Sequence, residues 1–318
     1  MHNEGSTEPV ISVVGAGNIG TSWAIAFTSA GYFVRLHDND NKRLQSAREE
    51  FFDRVTDLKR FDLIDESPSQ VIDRLSTESD IETAISGAEH IQECIPETID
   101  KKHDIFCLLA DLAPRNVTIA SSSSFLFASK FCSQVKYPER CLVIHPGNPP
   151  YLLRIAEVVP APFTSSVVVD QAILLMQNIG IRPILVRKEI DGFIFNRLQG
   201  ALLTEAYALV EDGVASADEI DAIVRDGLGF RWSVIGPFET VDLNTRGGIG
   251  VHAEKMGPAY QRIASQRGTN LSWTPELVSQ VETERRAILP LAQWSERVQW
   301  RDRALMALST ARKNAMKD

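Results

Sequence analysis

Apolar positions along the chain fall into two regimes. As far as about residue 190, short apolar runs alternate with longer stretches spaced as on a helix; beyond it, strand-like runs largely cease. Val10-Ile-Ser-Val-Val14 is a β-rich run ending at Gly15, and Thr21 to Ala30 carries apolar residues at helical spacing. Tyr32-Phe-Val-Arg-Leu-His37 is a second strand, closed by Asp38. From Asn41 to about Leu75 the pattern is charged and amphipathic, which predicts a helical excursion broken near Ser67-Pro68. His90–Ile95, Val117–Ala120 and Cys141–Ile144 are further strands, with helices at 98–112 and 125–135. Strands alternating with helices predict an α/β fold, a Rossmann-like, doubly wound and mostly parallel sheet.

The second regime is helical. Phe193 to Asp212 reads as one helix, with Phe193, Ile194, Leu198, Ala201, Leu202, Leu209 and Val210 on its apolar positions and Gly213 at its end. Ser216-Ala-Asp-Glu219 has the form of a capping box, so a helix opens there, and Gly227 is its expected stop. Thr274-Pro275-Glu276 opens another, with Thr as cap and Pro at the first helical position. The domain organisation expected is therefore 1–189 for a dinucleotide-binding domain and 190–318 for an all-helical C-terminal domain.

Composition narrows the function classes. The 318 residues are 44% hydrophobic and 24% charged, ordinary for a globular protein and unlike a disordered, fibrous or membrane chain. With 33 basic against 42 acidic residues the net charge is −9, which argues against a dedicated nucleic-acid binder, since phosphate backbones are held by clustered Lys and Arg. It leaves open a small anionic ligand, which needs only a local positive patch. Cys94, Cys107, Cys132 and Cys141 form no CxxC pair and no metal-ligand spacing, so no disulfide framework and no metal site is expected. The start MHNEGSTEP lacks the basic and apolar regions of a signal peptide, and no apolar stretch approaches the roughly 20 residues that span a bilayer. A soluble, cytoplasmic protein is expected.

Gly15, Gly17 and Gly20 form a GxGxxG turn in the context that gives the motif meaning: a strand precedes, a helix follows, and Asp38 closes the second strand 23 residues on. Gly15 allows the tight turn, Gly17 lets backbone approach a pyrophosphate, and Gly20 permits close helix packing. Asn18 and Ile19 open the helix whose free N–H groups face the phosphates. Asp38 suits ribose hydroxyls and repels a 2′-phosphate, and Lys42 and Arg43 lie on the next helix, so NAD is preferred over NADP. The turn by itself would equally serve FAD or S-adenosylmethionine.

Of the six histidines, His145 stands out, because it closes the apolar strand Cys141–Ile144 on the sheet edge where open α/β folds bind ligands. Pro146-Gly-Asn-Pro-Pro150 then makes a rigid loop, and Glu157 follows inside the apolar run Ile155-Ala-Glu-Val-Val159. A carboxylate there is costly without a partner, and a return strand carrying Glu157 beside His145 would supply one. A loop histidine and an edge-strand glutamate without further role is the plainer alternative.

These residues together resemble the L-3-hydroxyacyl-CoA dehydrogenase superfamily, and within it the lambda-crystallin branch. The resemblance runs nearly end to end. It is carried by the Gly15–Gly20 turn, His90-Ile-Gln-Glu-Cys-Ile-Pro-Glu97, the serine run Ser121–Ser124, His145-Pro-Gly-Asn-Pro-Pro-Tyr151, Glu157-Val-Val-Pro160, Gly192-Phe-Ile-Phe-Asn-Arg-Leu198, Gly227-Leu-Gly-Phe-Arg-Trp232, Ile235-Gly-Pro-Phe-Glu-Thr240 and Gln299-Trp-Arg-Asp302. It implies that His145 is a general base oriented by Glu157, with Ser124 and Asn196 holding the reacting oxygen, Ser123 being the obvious misassignment of the serine. Glu97 and Lys102 match cofactor-contacting positions; a solvated charge pair at a helix end is their bland alternative. NAD is the implied cofactor.

The resemblance also has gaps. Pro146 and Gly147 stand where acyl-CoA enzymes carry two bulky aromatics, and Arg231 has no counterpart in them. A guanidinium at Arg231 would suit a free carboxylate, whereas a structural salt bridge to Glu239 or Asp242 would give it an ordinary role. The expected reaction is NAD-dependent oxidation of the 3-hydroxyl of a small free L-3-hydroxy acid, L-gulonate-like. An acyl-CoA ester or L-carnitine as substrate, or a structural role of the enzyme-crystallin kind, are the alternatives. A 6-phosphogluconate-type dehydrogenase ranks low, because Phe193-Ile-Phe-Asn196-Arg197 lacks that family's Lys. A homodimer through the helical domain is implied, with Trp294, Trp300, Leu305 and Met306 as surplus apolar residues.

Overall fold

The computed structural model describes residues 9–61 and 63–266, together with scattered positions between 275 and 311. It divides into two compact units, Met1–Leu202 and Leu203–Asp318, the division falling within the helix Phe195–Glu211.

The first unit is built on one sheet of eight strands: β1 (Val10–Val14), β2 (Phe33–His37), β3 (Leu75–Glu78), β4 (Ala88–Glu93), β5 (Thr118–Ser121), β6 (Cys141–Pro146), β7 (Ile155–Pro160) and β8 (Arg182–Leu185). Their order is β3-β2-β1-β4-β5-β6-β7-β8. Strands β1 to β6 run parallel, β7 is antiparallel to β6, and β8 is parallel to β7. Helices cover both faces, so successive strand residues enter different cores. Leu142 and Ile144 pack into one, with Trp23, Phe27, Phe51 and Met176; Cys141 and Val143 pack into the other, with Phe106, Leu109 and Phe131. A sheet buried on both sides needs strands apolar throughout, and Cys141–Ile144 is such a run.

Several elements depart from the sequence pattern. Edge strands β3 and β8 are additional, and the helix expected over 125–135 shrinks to Ala128–Phe131. The residues before it form a bent loop instead of helix because their amides are bonded elsewhere: the N–H groups of Ser124, Phe125 and Leu126 donate to Glu97. The excursion after β2 does break at Ser67, which caps Pro68–Ile72 through a capping box with Gln70.

In the second unit Ser216 and Glu219 form the capping box as read, opening Ala217–Ala222. The helix does not stop at Gly227. It continues as a π-helical turn, Ile223–Leu228, and then as Gly229–Trp232. Glycine acts here by close approach, since a Cβ on Gly229 would lie 2.8 Å from the Val224 carbonyl oxygen. Helices Pro237–Asn244 and Gly248–Gln266 follow, with Ile235, Leu243 and Leu289 buried together and Trp294 packed against them. Trp294 Nε1 also donates to the Asp242 carbonyl at 2.8 Å, whereas Trp300 is partly exposed under the Arg297 guanidinium. Thr274, Glu276, Gln299, Leu305 and Met306 lie outside the described residues. Among the described residues no helix is long and apolar enough to cross a membrane.

Candidate active site

The antiparallel return of β7 places Glu157 as the register partner of His145. Glu157 Oε2 lies 2.7 Å from His145 Nδ1, and both side chains are buried. An ionised carboxylate only accepts, so in the neutral imidazole the proton sits on Nδ1 and the lone pair on Nε2. The other oxygen, Oε1, accepts from the backbone N–H of Ile194 at 2.6 Å and of Phe195 at 3.0 Å. One carboxylate thus fixes the imidazole and the start of the helix Phe195–Glu211. Entry to that helix passes through Gly192 and Phe193, both at positive φ (71° and 49°). The turn seats the Phe193 ring 5.6 Å from the imidazole, with the Phe195 ring at 6.3 Å.

Asn196, one residue further, donates from Nδ2 to the Ser124 carbonyl at 3.1 Å. Ser124 belongs to a loop held by Glu97, whose carboxylate accepts the amides of 124–126 and the Ser123 hydroxyl. Burial works against the Glu97 carboxylate, but those donors outweigh it and hold its pKa below the usual carboxylate range. The four serines are thereby told apart. Ser121 Oγ donates to Glu93, Ser122 Oγ accepts from Trp23 Nε1 and Gln92 Nε2, and Ser123 Oγ is bonded to Glu97. Ser124 Oγ alone of the four makes no hydrogen bond to the described residues.

Gly147 has no room for a side chain, since a Cβ there would lie 2.9 Å from Leu153 Cβ and 3.0 Å from Ile155 Cγ2. A cavity of about 130 Å³ opens beside His145, walled by Gly147, Ile155, Ile184, Ile194, Phe195 and Leu198.

The glycine turn sits on the same sheet edge. A Cβ on Gly15 would meet the Cys94 carbonyl at 2.9 Å, and one on Gly20 would overlap the Gly15 oxygen at 1.8 Å, so both positions demand glycine. No side chain caps the helix Asn18–Ser29, so its first N–H groups are available to a phosphate. Asp38 accepts from Ala16 N at 3.0 Å and Asp40 N at 3.1 Å, which ties the acid to the turn. These features fit a dinucleotide.

Lys102 differs from the expectation. It is buried, with Nζ 2.8 Å from both oxygens of Glu93 and 3.2 Å from the Ile95 carbonyl. It is neither a solvated partner of Glu97 nor a free cation at the cofactor cleft. Glu93, which burial pushes above the usual carboxylate range, also accepts from Ser121 Oγ and Ile95 N. Glu93 does not stand out in the sequence; HIQECIPE contains the pairing glutamate, but nothing in its spacing reveals it.

Arg231, in the second unit, is partly buried, and its Nε has no hydrogen-bond partner. The two acids that would have given it a structural salt bridge are engaged otherwise: Glu239 by Arg297 at 2.6 Å, Asp242 by Arg286. Arg231 borders a pocket with Glu219 and with Ile223, Asp226, Gly227 and Leu228 of the π-helical turn, a conformation found often at functional sites.

Comparison with known proteins agrees with this geometry. Residues 10–190 match the NAD-binding domain of 3-hydroxyacyl-CoA dehydrogenase, and residues 192–286 match its C-terminal domain. Lambda-crystallin of Oryctolagus cuniculus is 35% identical over 303 residues, 94% of this chain and 95% of that protein. L-carnitine dehydrogenase of Pseudomonas aeruginosa is 37% identical over 251 residues, 79% of this chain and 77% of that one. Among solved structures, the NAD+-dependent dismutase 5-formyl-3-hydroxy-2-methylpyridine 4-carboxylic acid 5-dehydrogenase superposes with a TM-score of 0.72 at 25% identity, covering 93% of this chain and 99% of that one. A glycine turn shaped for a dinucleotide, on the sheet edge that carries a buried His–Glu pair, is thus matched by similarity over both halves of the chain, which belongs to the 3-hydroxyacyl-CoA dehydrogenase family of NAD-dependent oxidoreductases.

Proposed function

We propose that the chain oxidises the 3-hydroxyl of a small free L-3-hydroxy acid, L-gulonate-like, with residues 1–189 binding NAD and residues 190–318 serving substrate binding and homodimer formation. The observation that carries the chemistry is the Glu157 carboxylate, which spans His145 Nδ1 and the amides of Ile194 and Phe195. It holds the imidazole in the tautomer whose Nε2 can accept a proton. His145 takes the hydroxyl proton, and Glu157 stabilises the imidazolium that results. A bound NAD+ would supply the acceptor for the hydride that leaves C3. Ser124 donates its free hydroxyl, and Asn196 its remaining N–H, to the reacting oxygen, which keeps that oxygen in line for proton transfer. Gly15, Gly17, Asn18, Ile19 and Gly20 take the pyrophosphate, and Asp38 the adenine-side ribose. Glu97 acts by shaping the loop that presents Ser124.

Three features favour a free acid over an acyl-CoA ester. Gly147 is packed against Leu153 and Ile155, which leaves no space for the bulky side chain of the acyl-CoA enzymes. The cavity beside His145 is small, about 130 Å³ against roughly 300–1,000 Å³ for pockets that hold drug-sized ligands. Arg231 makes no ion pair among the described residues, although Glu219 and Asp226 line the same pocket, and its guanidinium suits a carboxylate bound through two parallel hydrogen bonds. The likeness to L-carnitine dehydrogenase supports the same class, since carnitine is itself a free 3-hydroxy acid. Arg231→Leu tests the assignment: KM for the acid should rise at least tenfold with the NAD+ KM unchanged, and an unchanged KM for the acid would remove Arg231 from the site.

A further inference from the structure

The glycine turn leaves one electrostatic question open. A dinucleotide brings two negative phosphates to a protein of net charge −9, and Lys102, the cation that family position assigns to the cofactor, is buried against Glu93. Arg54 is spent as well. Its guanidinium donates to Ser22 Oγ at 2.9 Å and Asn18 Oδ1 at 2.8 Å, and pairs with Glu50. Arg54 therefore braces the first turn of the helix Asn18–Ser29.

Arg43 is in a different situation. It is exposed on the first turn of the helix Asn41–Arg60 and makes no hydrogen bond or ion pair with the described residues. Its guanidinium nevertheless lies over the turn: a methyl group on Gly17 would sit 3.7 Å from Arg43 Nη1. Gly17 is the position at which the pyrophosphate approaches the backbone. The placement also runs against local helix preference. The first helical turn carries a partial positive charge and favours acids, yet this one has none and presents Lys42 and Arg43 instead. The helix itself is capped by Asp40, which accepts from Lys42 N, so the unpaired Arg43 that folds back over the phosphate route is explained by a ligand of opposite charge.

We propose that Arg43 is a cofactor-binding residue whose guanidinium closes over the glycine turn and bonds the NAD pyrophosphate from the side opposite the helix N-terminus. The backbone amides after Gly17 hold the phosphates from below, and Arg43 supplies the charge that Lys102 does not. The inference concerns binding of the cofactor and is independent of which acid is oxidised.

Direct titration of the full chain with NADH, by the change in nicotinamide fluorescence, tests it, with ADP-ribose and adenosine as displacing ligands. Arg43→Leu should weaken NADH and ADP-ribose about tenfold, the loss of a charge-assisted bond, and leave adenosine unchanged. Arg43→Lys should recover part of the loss. Affinity of the natural chain should fall more steeply between 25 and 300 mM salt than that of Arg43→Leu. NADH and ADP-ribose constants within twofold of the natural chain would overturn the proposal, as would an equal loss for adenosine, which would place Arg43 on the adenine. Failure of the natural chain to bind NADH would instead strike the cofactor assignment itself, and Arg43 with it.

Discussion

His145 and Glu157 are cross-strand partners, paired in the β6–β7 ladder with Nδ1 and Oε2 2.7 Å apart. The pairing makes the imidazole's orientation a property of sheet register, because a slip of one residue would turn Glu157 to the opposite face. Glu157→Gln keeps the size of the side chain but removes the charge that stabilises an imidazolium. It should lower kcat by about 10²–10⁴-fold while the NADH dissociation constant stays within a few-fold. Steady-state kinetics beside NADH titration checks this, and a kcat near that of the natural chain would mean Glu157 is structural.

Lys102 and Glu93 lead to a contrasting expectation. Both side chains are essentially without solvent exposure, and removing one leaves the other buried and unpaired. Lys102→Met should destabilise the fold by about 3–5 kcal/mol, and adding Glu93→Gln should recover much of that. Urea unfolding of the single and double variants provides the comparison. A Lys102→Met protein of natural stability but weakened NADH binding would return Lys102 to the cofactor.

His90 makes stability depend on pH. Burial drives its pKa from 6.5 down to about 4, with the bond to Gln92 working the other way. The unfolded chain takes up this proton near pH 6.5, whereas the folded chain resists it until about pH 4. Stability therefore falls as pH drops through that interval, by about 3 kcal/mol in full from this one group. His90→Gln removes the titration and should flatten the slope of unfolding free energy between pH 6.5 and 4. Equal slopes for the two proteins would contradict the assignment.

The strands that carry the site were legible because they are apolar on both faces and end on glycine, acid or histidine. Cys141–Ile144 followed by His145, and Val10–Val14 followed by Gly15, announce themselves in this way. Strands β3 and β8 lie at the sheet's two edges, where Leu75-Ser-Thr-Glu78 and Arg182-Pro-Ile-Leu185 are only half buried and so lack a strong pattern. Gly227 misled because glycine often marks a helix end, whereas here the helical path runs straight through it and the close backbone contact falls two residues on, at Gly229. The serine run shows the remaining limit. Ser121 to Ser124 are chemically identical, and only the three-dimensional tally of Glu93, Trp23, Gln92 and Glu97 as partners leaves Ser124 free. Lys102 likewise reads as a helix-surface charge until the fold buries it.

Oxidation of candidate substrates by NAD+, followed as NADH absorbance at 340 nm with the natural chain and His145→Gln, is the most direct test of the account. L-gulonate, L-carnitine, 3-hydroxybutyrate and 3-hydroxybutyryl-CoA form the panel. The account predicts that a free acid turns over with a higher kcat/KM than the CoA ester, and that His145→Gln abolishes turnover while still binding NADH. No NADH from any free acid, or efficient oxidation confined to 3-hydroxybutyryl-CoA, would contradict it.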